Sequence, residues 1–304
     1  MSTLKQRFLL VSDIHYTTEE TEEEYKKIYP NSITSLAAGN AFGKKQKEKL
    51  EKVYSDICEE HRRSVLDAVL VLGDLSLDDY DYRNLPVNYC RIFKNECMDR
   101  LPAKAFAIPG NHDSYPNELW REVFGYDRQY TLEFDDTVFL MADTFASTPA
   151  SKTDPCGGSV RNPIDDEFLR ESLEKYKGKK IFICAHHIDD SLITEEGRRL
   201  IEENSNVVFM YRGHVHKHNV LKLKKGCENV PLIDIGGYGY EGKVFDGKYD
   251  FNIYNYDIAW GYQILEIYDD KIRTYHVKVD NRYVGTNGVF EVKETVHNDI
   301  EVPL

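Results

Sequence analysis

The sequence predicts an α/β fold, in a single domain spanning residues 1–304, whose second half is antiparallel. Two observations support this prediction. Short apolar runs without polar alternation recur between residues 8 and 211, and such runs are typical of strands buried on both faces of a sheet. From residue 230 onward, strand-like segments follow one another with turn residues between them, which indicates antiparallel pairing.

The elements are expected in a regular order. The early apolar runs predict strands at residues 8–11, 69–72, 105–108, 180–184 and 207–211. Apolar residues at helical spacing predict helices between these strands, at 46–63, 85–99, 117–124, 165–177 and 194–203. Later strands are expected at 230–235, 260–268 and 271–279, with a hairpin turn at Asp269-Asp270.

The composition is that of an ordinary globular protein, with 41% apolar and 30% charged residues. No apolar run approaches the length needed to span a bilayer, and the short apolar run near the N-terminus does not resemble a signal peptide. The six cysteines are scattered and include no Cys-x-x-Cys pair. In a chain of this length they indicate free thiols in a reducing compartment, so we expect a cytoplasmic protein.

The net charge of −13 bears on the choice of partner. Proteins that hold a nucleic-acid backbone present a stripe of basic residues, whereas the lysines and arginines here are dispersed. Long nucleic acid is therefore not an expected partner, and neither is a membrane. The sequence makes no prediction about the oligomeric state.

Residue types that bind metals follow each of the five early strands. In the order of the strands, they are Asp13 and His15, then Asp74, then Asn111 and His112, then His186, and finally His214 and His216. In open α/β sheets, ligands bind beyond the carboxyl ends of the strands. We therefore expect these side chains to meet at one sheet edge.

The donor atoms indicate the kind of metal site. Oxygen and imidazole donors without thiolate suit transition-metal ions such as manganese, iron and zinc. Three carboxylate or amide positions and four histidines are more than one tetrahedral ion requires, but they suit two ions that share a bridging carboxylate. Glycine precedes Asp74, Asn111 and His214, where it permits unusual dihedral angles and the close approach of another group. The sequence therefore predicts a site for two divalent or trivalent transition-metal ions.

This ordered series of motifs resembles the calcineurin-like metallophosphoesterase superfamily. The motifs are Asp13-x-His15, Gly73-Asp74, Gly110-Asn111-His112-Asp113, His186 and Gly213-His214-x-His216. The resemblance implies two mixed β-sheets packed as a sandwich flanked by helices, in four layers α/β/β/α. It further implies one metal held by Asp13, His15 and His216, a second held by Asn111, His186 and His214, and Asp74 as the bridge between them.

Three differences from related families indicate which members of the superfamily this chain resembles most. The calcineurin-type protein phosphatases continue the second motif with an Asp-Arg pair, whereas this chain continues it as Asp74-Leu75-Ser76-Leu77-Asp78. Leu77 stands where purple acid phosphatases have a metal-binding tyrosine, so a charge-transfer iron site is not expected. His186 and His187 are not followed by the proline of many family phosphodiesterases, which leaves the choice of ligand between them open; His186 is favoured because it is nearest the strand end. The pattern is most similar to hydrolases of cyclic nucleotides and small phosphodiesters.

The predicted function is hydrolysis of a small phosphodiester or phosphomonoester by attack of a metal-bound hydroxide. His112 is the expected general acid for the leaving alkoxide, because it is not needed as a ligand and adjoins Asn111. Asp78, Asp79 or Asp113 is expected to orient it. One alternative is a nuclease acting on DNA or RNA ends, which the acidic charge opposes. The other is a non-catalytic metal-binding scaffold, which the full set of ligand positions opposes.

The segment formed by residues 17–45 is too long for an ordinary connection between a strand and a helix. The segment begins directly after Asp13 and His15, opens with a strongly acidic stretch at 18–24, and continues with apolar residues that are able to pack. Two interpretations remain open. The segment is either a cap insertion that restricts the site to small phosphoesters, or a disordered acidic flap.

Overall fold

The structure, a computed structural model, describes residues 2–16, 46–76, 88–113, 115–149, 159–238, 243–245, 248–250, 260–279 and 296–304. The possible cap insertion at 17–45 lies outside the described residues, as do Asp78 and Asp79. None of the helices in the described ranges is long and apolar enough to cross a membrane.

The described strands and helices are numbered here in chain order. The strands are β1 (Leu4–Val11), β2 (Ala68–Leu72), β3 (Lys104–Ile108), β4 (Tyr130–Phe134), β5 (Thr137–Ala142), β6 (Phe145–Pro149), β7 (Ser159–Arg161), β8 (Lys180–Ala185), β9 (Val207–Arg212), β10 (His218–Leu221), β11 (Leu232–Ile235), β12 (Lys243–Phe245), β13 (Lys248–Asp250), β14 (Gly261–Tyr268), β15 (Lys271–Lys278) and β16 (Val296–Pro303). The helices are α1 (Gln46–Arg63), α2 (Tyr89–Glu96), α3 (Asn117–Phe124), α4 (Asp166–Lys175) and α5 (Glu195–Glu203), with a 3-10 turn at Met98–Arg100.

Two six-stranded mixed sheets carry the fold. In the first, with the order β16-β15-β14-β1-β2-β3, strands β1, β2 and β3 are parallel and β14, β15 and β16 pair antiparallel. In the second, with the order β10-β11-β9-β8-β5-β4, the four central strands are parallel and the two edge strands are antiparallel. Two-stranded ribbons join β6 to β7 and β12 to β13.

The two sheets pack face to face, with helices on both outer faces. Successive residues of a strand point to opposite faces, and β1 shows this alternation clearly. Phe8 lies between the sheets, with its ring 4.8 Å from that of Phe139, whereas Leu9 belongs to the core shared with α1, α2 and α3. The outer face of the second sheet forms a separate core with α4 and α5. The four-layer α/β/β/α sandwich is therefore confirmed.

Helix boundaries follow the capping residues. Asp165 accepts hydrogen bonds from the backbone N–H groups of Glu167 and Phe168, and the Thr194 hydroxyl accepts one from Gly197. The predicted helices at 165–177 and 194–203 therefore begin with N-cap residues that satisfy the free amide groups of the first turn. The hairpin turn predicted at Asp269-Asp270 joins β14 to β15.

Two expectations about the strands need correction. The five ligand-bearing strands do not share one sheet edge, because β1, β2 and β3 belong to the first sheet and β8 and β9 to the second. Their carboxyl ends meet across the sandwich: His186, after β8, lies 3.1 Å from Asp74, after β2. The sequence analysis also missed the hairpin of β4 and β5, although β5 is fully buried and pairs with β8 in the second sheet.

Candidate metal centre

Three predicted ligands form one group beyond the carboxyl end of β1. His216 Nε2 lies 3.2 Å from Asp13 Oδ1 and 3.1 Å from His15 Nε2. One ligand atom from each of the three residues lies within 4.8 Å of the other two. The backbone N–H of His214 donates to the Asp13 carboxylate at 3.1 Å, so the loop after β9 is fixed to the loop after β1.

The other predicted ligands form a second group. Asp74 Oδ2 lies 3.1 Å from His186 Nε2, and Asn111 Oδ1 lies 3.2 Å from the same nitrogen. Asn111 Oδ1 also lies 2.8 Å from His214 Nδ1. His186 Nδ1 is 2.7 Å from the carbonyl oxygen of Leu72, which can only accept a hydrogen bond. The Nδ1–H of His186 therefore faces Leu72, and its Nε2 is directed at Asp74 and Asn111.

Asp74 borders both groups. Its Oδ2 atom is 3.1 Å from His186 Nε2 in the second group and 3.6 Å from His15 Nε2 in the first. Its Oδ1 atom accepts the backbone N–H of His112 at 2.9 Å, which fixes the carboxylate plane. The predicted bridging carboxylate is thus the side chain that lies between the two groups.

The protonation tendencies of the centre are set by burial and by neighbouring charge. Burial alone would raise the pKa of Asp74, but the imidazoles of His186 and His112 lower it well below its usual range. Burial, together with the neighbouring imidazoles, lowers the pKa of His15 well below its usual value and that of His214 to about 2. Burial lowers the pKa of His186 as well, but the charge of the adjacent Asp74 carboxylate outweighs it and raises that pKa to about 9. Asp74 is thus ionised and His15 and His214 are neutral, as metal ligands must be, whereas metal binding at His186 would release a proton.

The donor set fits two metal ions. The nitrogens of His15 and His216 face each other at 3.1 Å, and Asp13 and Asp74 are 0% and 1% exposed. Buried carboxylates and convergent imidazole nitrogens are costly to hold together unless a cation lies among them. Oxygen and imidazole donors are the set that manganese, iron and zinc accept.

The backbone at the centre is strained. Seven residues other than glycine in the described ranges have a positive φ, and five of them are predicted ligands, namely Asp13, His15, Asp74, His214 and His216, with φ between 49° and 67°. This left-handed conformation costs roughly 1–3 kcal/mol per residue and persists only where the surrounding structure imposes it. The concentration of strain in the ligands indicates a functional site.

Glycines let the ligand loops approach one another, as predicted. A Cβ atom on Gly110 would lie 2.1 Å from Asp74 Oδ1, and one on Gly73 would lie 2.5 Å from His186 Nδ1. One on Gly213 would lie 2.7 Å from Asp13 Oδ2. Of the three glycines, only Gly73 has a positive φ, at 85°, so close approach is the requirement they share.

His112 lies beside the first group. Its ring packs edge-to-face on that of His15, with ring centroids 4.9 Å apart. The next residue, Asp113, is buried, and its carboxylate accepts the backbone N–H groups of Leu75, Ser76 and Gly110 at 2.9–3.0 Å. Asp113 therefore ties the loop after β2 to the loop after β3, which sets the position of His112.

His187 occupies a different position from His186. Its Nε2 lies 3.0 Å from Asp189 Oδ2, and its ring packs edge-to-face on that of His214 at 4.4 Å. Burial and the nearby arginines Arg161 and Arg212 lower the pKa of His187 to about 4. Of the two adjacent histidines, it is thus His186 that the fold brings against Asp74.

Three further residues at the centre were not anticipated from the sequence. The Phe145 ring lies 5.6 Å from that of His186, Arg161 Nη2 lies 3.4 Å from His214 Nε2, and the buried Lys49 Nζ lies 3.5 Å from the His15 carbonyl oxygen. Phe145 follows the strand β5 that the sequence analysis missed. Arg161 and Lys49 belong to no motif, and only the folded chain brings them to the centre.

The sequence places the chain in a known family. Residues 6–218 match the family profile described as calcineurin-like phosphoesterase. The chain belongs to this family. It is accordingly a phosphoric ester hydrolase by class, and the matched range contains all the predicted ligands.

The individual proteins named here are at most 24% identical to this chain. The chain is 24% identical over 231 residues to a probable cyclic nucleotide phosphodiesterase of Coxiella burnetii, covering 71% of this chain and 77% of that protein. Its structure is similar to that of a dimetal phosphatase from Danio rerio, with a TM-score of 0.62, 12% identity and 99% of both chains covered. It is also similar to the structure of PhoD, with a TM-score of 0.51, 11% identity, and 95% and 68% of the two chains covered. These two structures share the fold.

Proposed function

We propose that the chain hydrolyses a small phosphodiester or phosphomonoester at two metal ions that share Asp74. The observation that carries this proposal is the position of Asp74 Oδ2, 3.6 Å from His15 Nε2 and 3.1 Å from His186 Nε2. One buried carboxylate is thus in reach of both groups of donors. Ions that share a carboxylate lie roughly 3.5–4 Å apart in binuclear hydrolases, close enough to act on one phosphoryl group.

The remaining ligands divide between the two ions. Asp13, His15 and His216 would hold one ion, and Asn111, His186 and His214 the other. When bound, the ions supply neutralisation of the phosphoryl oxygens and a lowered pKa of water. The hydrogen bond from His186 Nδ1 to the Leu72 carbonyl keeps its Nε2 aimed at the centre, a role that partners of metal-bound histidines commonly fill.

His112 is the proposed general acid. Its backbone N–H is bonded to Asp74 Oδ1 and its ring packs against His15, so it is held beside both groups. His112 is not one of the seven proposed ligands, so it remains available as a proton donor. A protonated His112 can therefore donate to the leaving alkoxide, a contribution worth typically 10²–10⁴-fold in rate.

The substrate class follows from the charge and from the named relative. A net charge of −13 opposes the binding of long polyanions, so small phosphoesters are favoured over nucleic acid. The relative from Coxiella burnetii is named a probable cyclic nucleotide phosphodiesterase, which makes cyclic nucleotides the first substrates to test.

A substrate panel with added manganese tests the proposal. The panel contains 3′,5′-cyclic nucleotides, a glycerophosphodiester, an aryl phosphomonoester, an aryl phosphodiester and a short oligonucleotide. We expect metal-dependent turnover of a small phosphoester by the wild-type protein and its loss in Asp74→Asn. Turnover confined to the oligonucleotide would instead support a nuclease. Equal rates for the wild-type protein and the variant on every substrate would contradict the proposal.

A further inference from the structure

Arg161 brings a positive charge to the centre from an element outside the ligand motifs. It ends β7 and pairs with Phe145 at the base of the β6–β7 ribbon. The next residue, Asn162, donates its backbone N–H to the Thr144 carbonyl at 3.0 Å, so the backbone around Arg161 is anchored beside the centre. The Arg161 side chain itself is exposed. A fixed backbone with an accessible guanidinium suits contact with a ligand that enters from solvent.

Arg161 has no carboxylate partner among the residues that the structure describes. Most other arginines in the described ranges have carboxylate partners, such as Arg128 with Asp143 at 2.7 Å and Arg170 with Glu196 at 3.1 Å. Across those same ranges, no carboxylate lies within ion-pair distance of Arg161. Among the described residues, its polar partner is His214 Nε2, at 3.4 Å. An exposed cation with no carboxylate partner beside a metal site is available to an anionic ligand.

The chemistry of His214 directs Arg161 toward such an anion. His214 Nδ1 faces Asn111 Oδ1 at 2.8 Å and is the nitrogen on the side of the centre. An imidazole that gives the Nδ1 lone pair to a metal carries its proton on Nε2. That nitrogen is then a donor and cannot accept a hydrogen bond from Arg161. With the centre loaded, the guanidinium therefore bonds to water or to an anion that enters the site.

We propose that Arg161 binds the phosphoryl oxygens of the substrate beside the ion held by Asn111, His186 and His214. This inference rests on the proposed function, whose metal ligands it uses. The planar fork of a guanidinium matches two phosphoryl oxygens at once, which a lysine ammonium does not. Arg161 thereby adds a positive charge to the centre of a protein whose net charge is −13.

The test compares Arg161→Gln and Arg161→Lys with the wild-type protein, all loaded with manganese. Arg170→Gln is the matched control, because it removes an arginine that is also exposed but pairs with Glu196 on the helix surface. Three quantities are measured: metal content, the dissociation constant for inorganic phosphate by calorimetry, and kcat/KM on the preferred phosphoester. Phosphate replaces the substrate in the binding measurement, so that this readout does not depend on turnover.

We expect Arg161→Gln to keep its metal while binding phosphate about 10- to 100-fold more weakly, the range for a lost hydrogen bond to a charged group. Its kcat/KM should fall by a similar factor. Arg161→Lys should lie between Arg161→Gln and the wild-type protein, and Arg170→Gln should match the wild-type protein. Phosphate binding by Arg161→Gln within twofold of the wild-type value would overturn the inference, as would an absence of phosphate binding by the loaded wild-type protein.

The measurements distinguish a failure of the proposed function from a failure of the proposed role of Arg161. Metal-dependent hydrolysis that does not change in Arg161→Gln would leave the proposed function standing and refute the role of Arg161. Phosphate binding that depends on Arg161, without hydrolysis of any phosphoester, would support the role of Arg161 and refute the proposed function. Loss of metal from Arg161→Gln would show that the residue stabilises His214 and would refute the phosphate-binding role.

Discussion

Asp74 is the side chain that borders both groups of proposed ligands. It is buried, its Oδ2 atom faces a histidine of each group, and its Oδ1 atom is held by the backbone of His112. Replacing it with alanine removes an anionic ligand from both proposed metal positions at once. The two positions are therefore expected to lose metal together.

We predict that Asp74→Ala retains less than one metal ion per chain after dialysis against a metal-replete buffer, whereas the wild-type protein retains two. Elemental analysis of the dialysed protein measures this. Asp136→Asn is the control, because Asp136 is a surface carboxylate whose partner is Lys180. Two ions retained by Asp74→Ala would contradict the role of Asp74 as the bridge.

His112 offers a test of the proton donor. His112→Asn should keep both ions, because His112 is not a proposed ligand, and should lose about 10²–10⁴-fold in rate on substrates with alkyl leaving groups. Aryl phosphoesters leave without much protonation, so their rates should fall far less. The measurement is the ratio of kcat/KM for the two kinds of substrate. An equal loss on both would show that His112 is not the general acid.

At the same scale, sequence reasoning named the proposed ligands, which the fold brings together, but not the residues around them. It named Asp13, Asp74 and His214 because each ends an apolar strand, which is a local signal. The contact of Arg161 with His214 joins residues 53 positions apart and leaves no such signal. The choice between His186 and His187 likewise depended on the hydrogen bond to Leu72, in a strand of the other sheet.

At the scale of elements, the strands were predictable and their partners were not. The apolar runs predicted β1, β2, β8 and β9 to within a few residues, because burial on both faces imposes apolar residues at every position. Which sheet a strand joins depends on pairing between distant segments. The missed strand β5 carries a similar apolar run, preceded by the turn at Asp135 and Asp136, so its signal was present in the sequence.

The close approach of β2 and β3 gives a prediction for their loops. Alanine at Gly110 would place its Cβ atom 2.1 Å from Asp74 Oδ1, so the carboxylate must move. We predict that Gly110→Ala lowers the free energy of unfolding by about 1–3 kcal/mol and also lowers metal content. Urea unfolding and elemental analysis measure the two effects.

Gly125→Ala is the matched control for this substitution. Gly125 has a φ of 84° and nothing within 4 Å of its added Cβ, so alanine there costs about 1–2 kcal/mol of backbone strain without a collision. Its metal content should therefore equal that of the wild-type protein. Equal metal content in both variants would show that the approach of Gly110 to Asp74 is not needed by the centre.

At the scale of the whole molecule, the centre lies where the two sheets meet. Each sheet contributes ligands from the carboxyl ends of its parallel strands, so neither sheet carries the site alone. The extensive apolar core between the sheets, which includes Phe8, Phe139 and Phe182, holds these ends together. That core also offsets the strain of the five proposed ligands with positive φ and the burial of Asp13 and Asp74. Bound metal is expected to relieve the repulsion between these two carboxylates.

This arrangement predicts that metal binding and global stability are linked. A ligand that binds only the folded state, at about 100 times its dissociation constant, stabilises by about 2.7 kcal/mol per site. For a protein of this size that corresponds to a rise in Tm of roughly 4 °C per site. We expect a chelator to lower the Tm of the wild-type protein by at least this amount and added manganese to restore it. The Tm of Asp74→Ala should respond to neither addition, since its two positions lack the shared carboxylate. A wild-type Tm that is the same with chelator and with manganese would show that the clustered ligands do not hold metal in the folded protein.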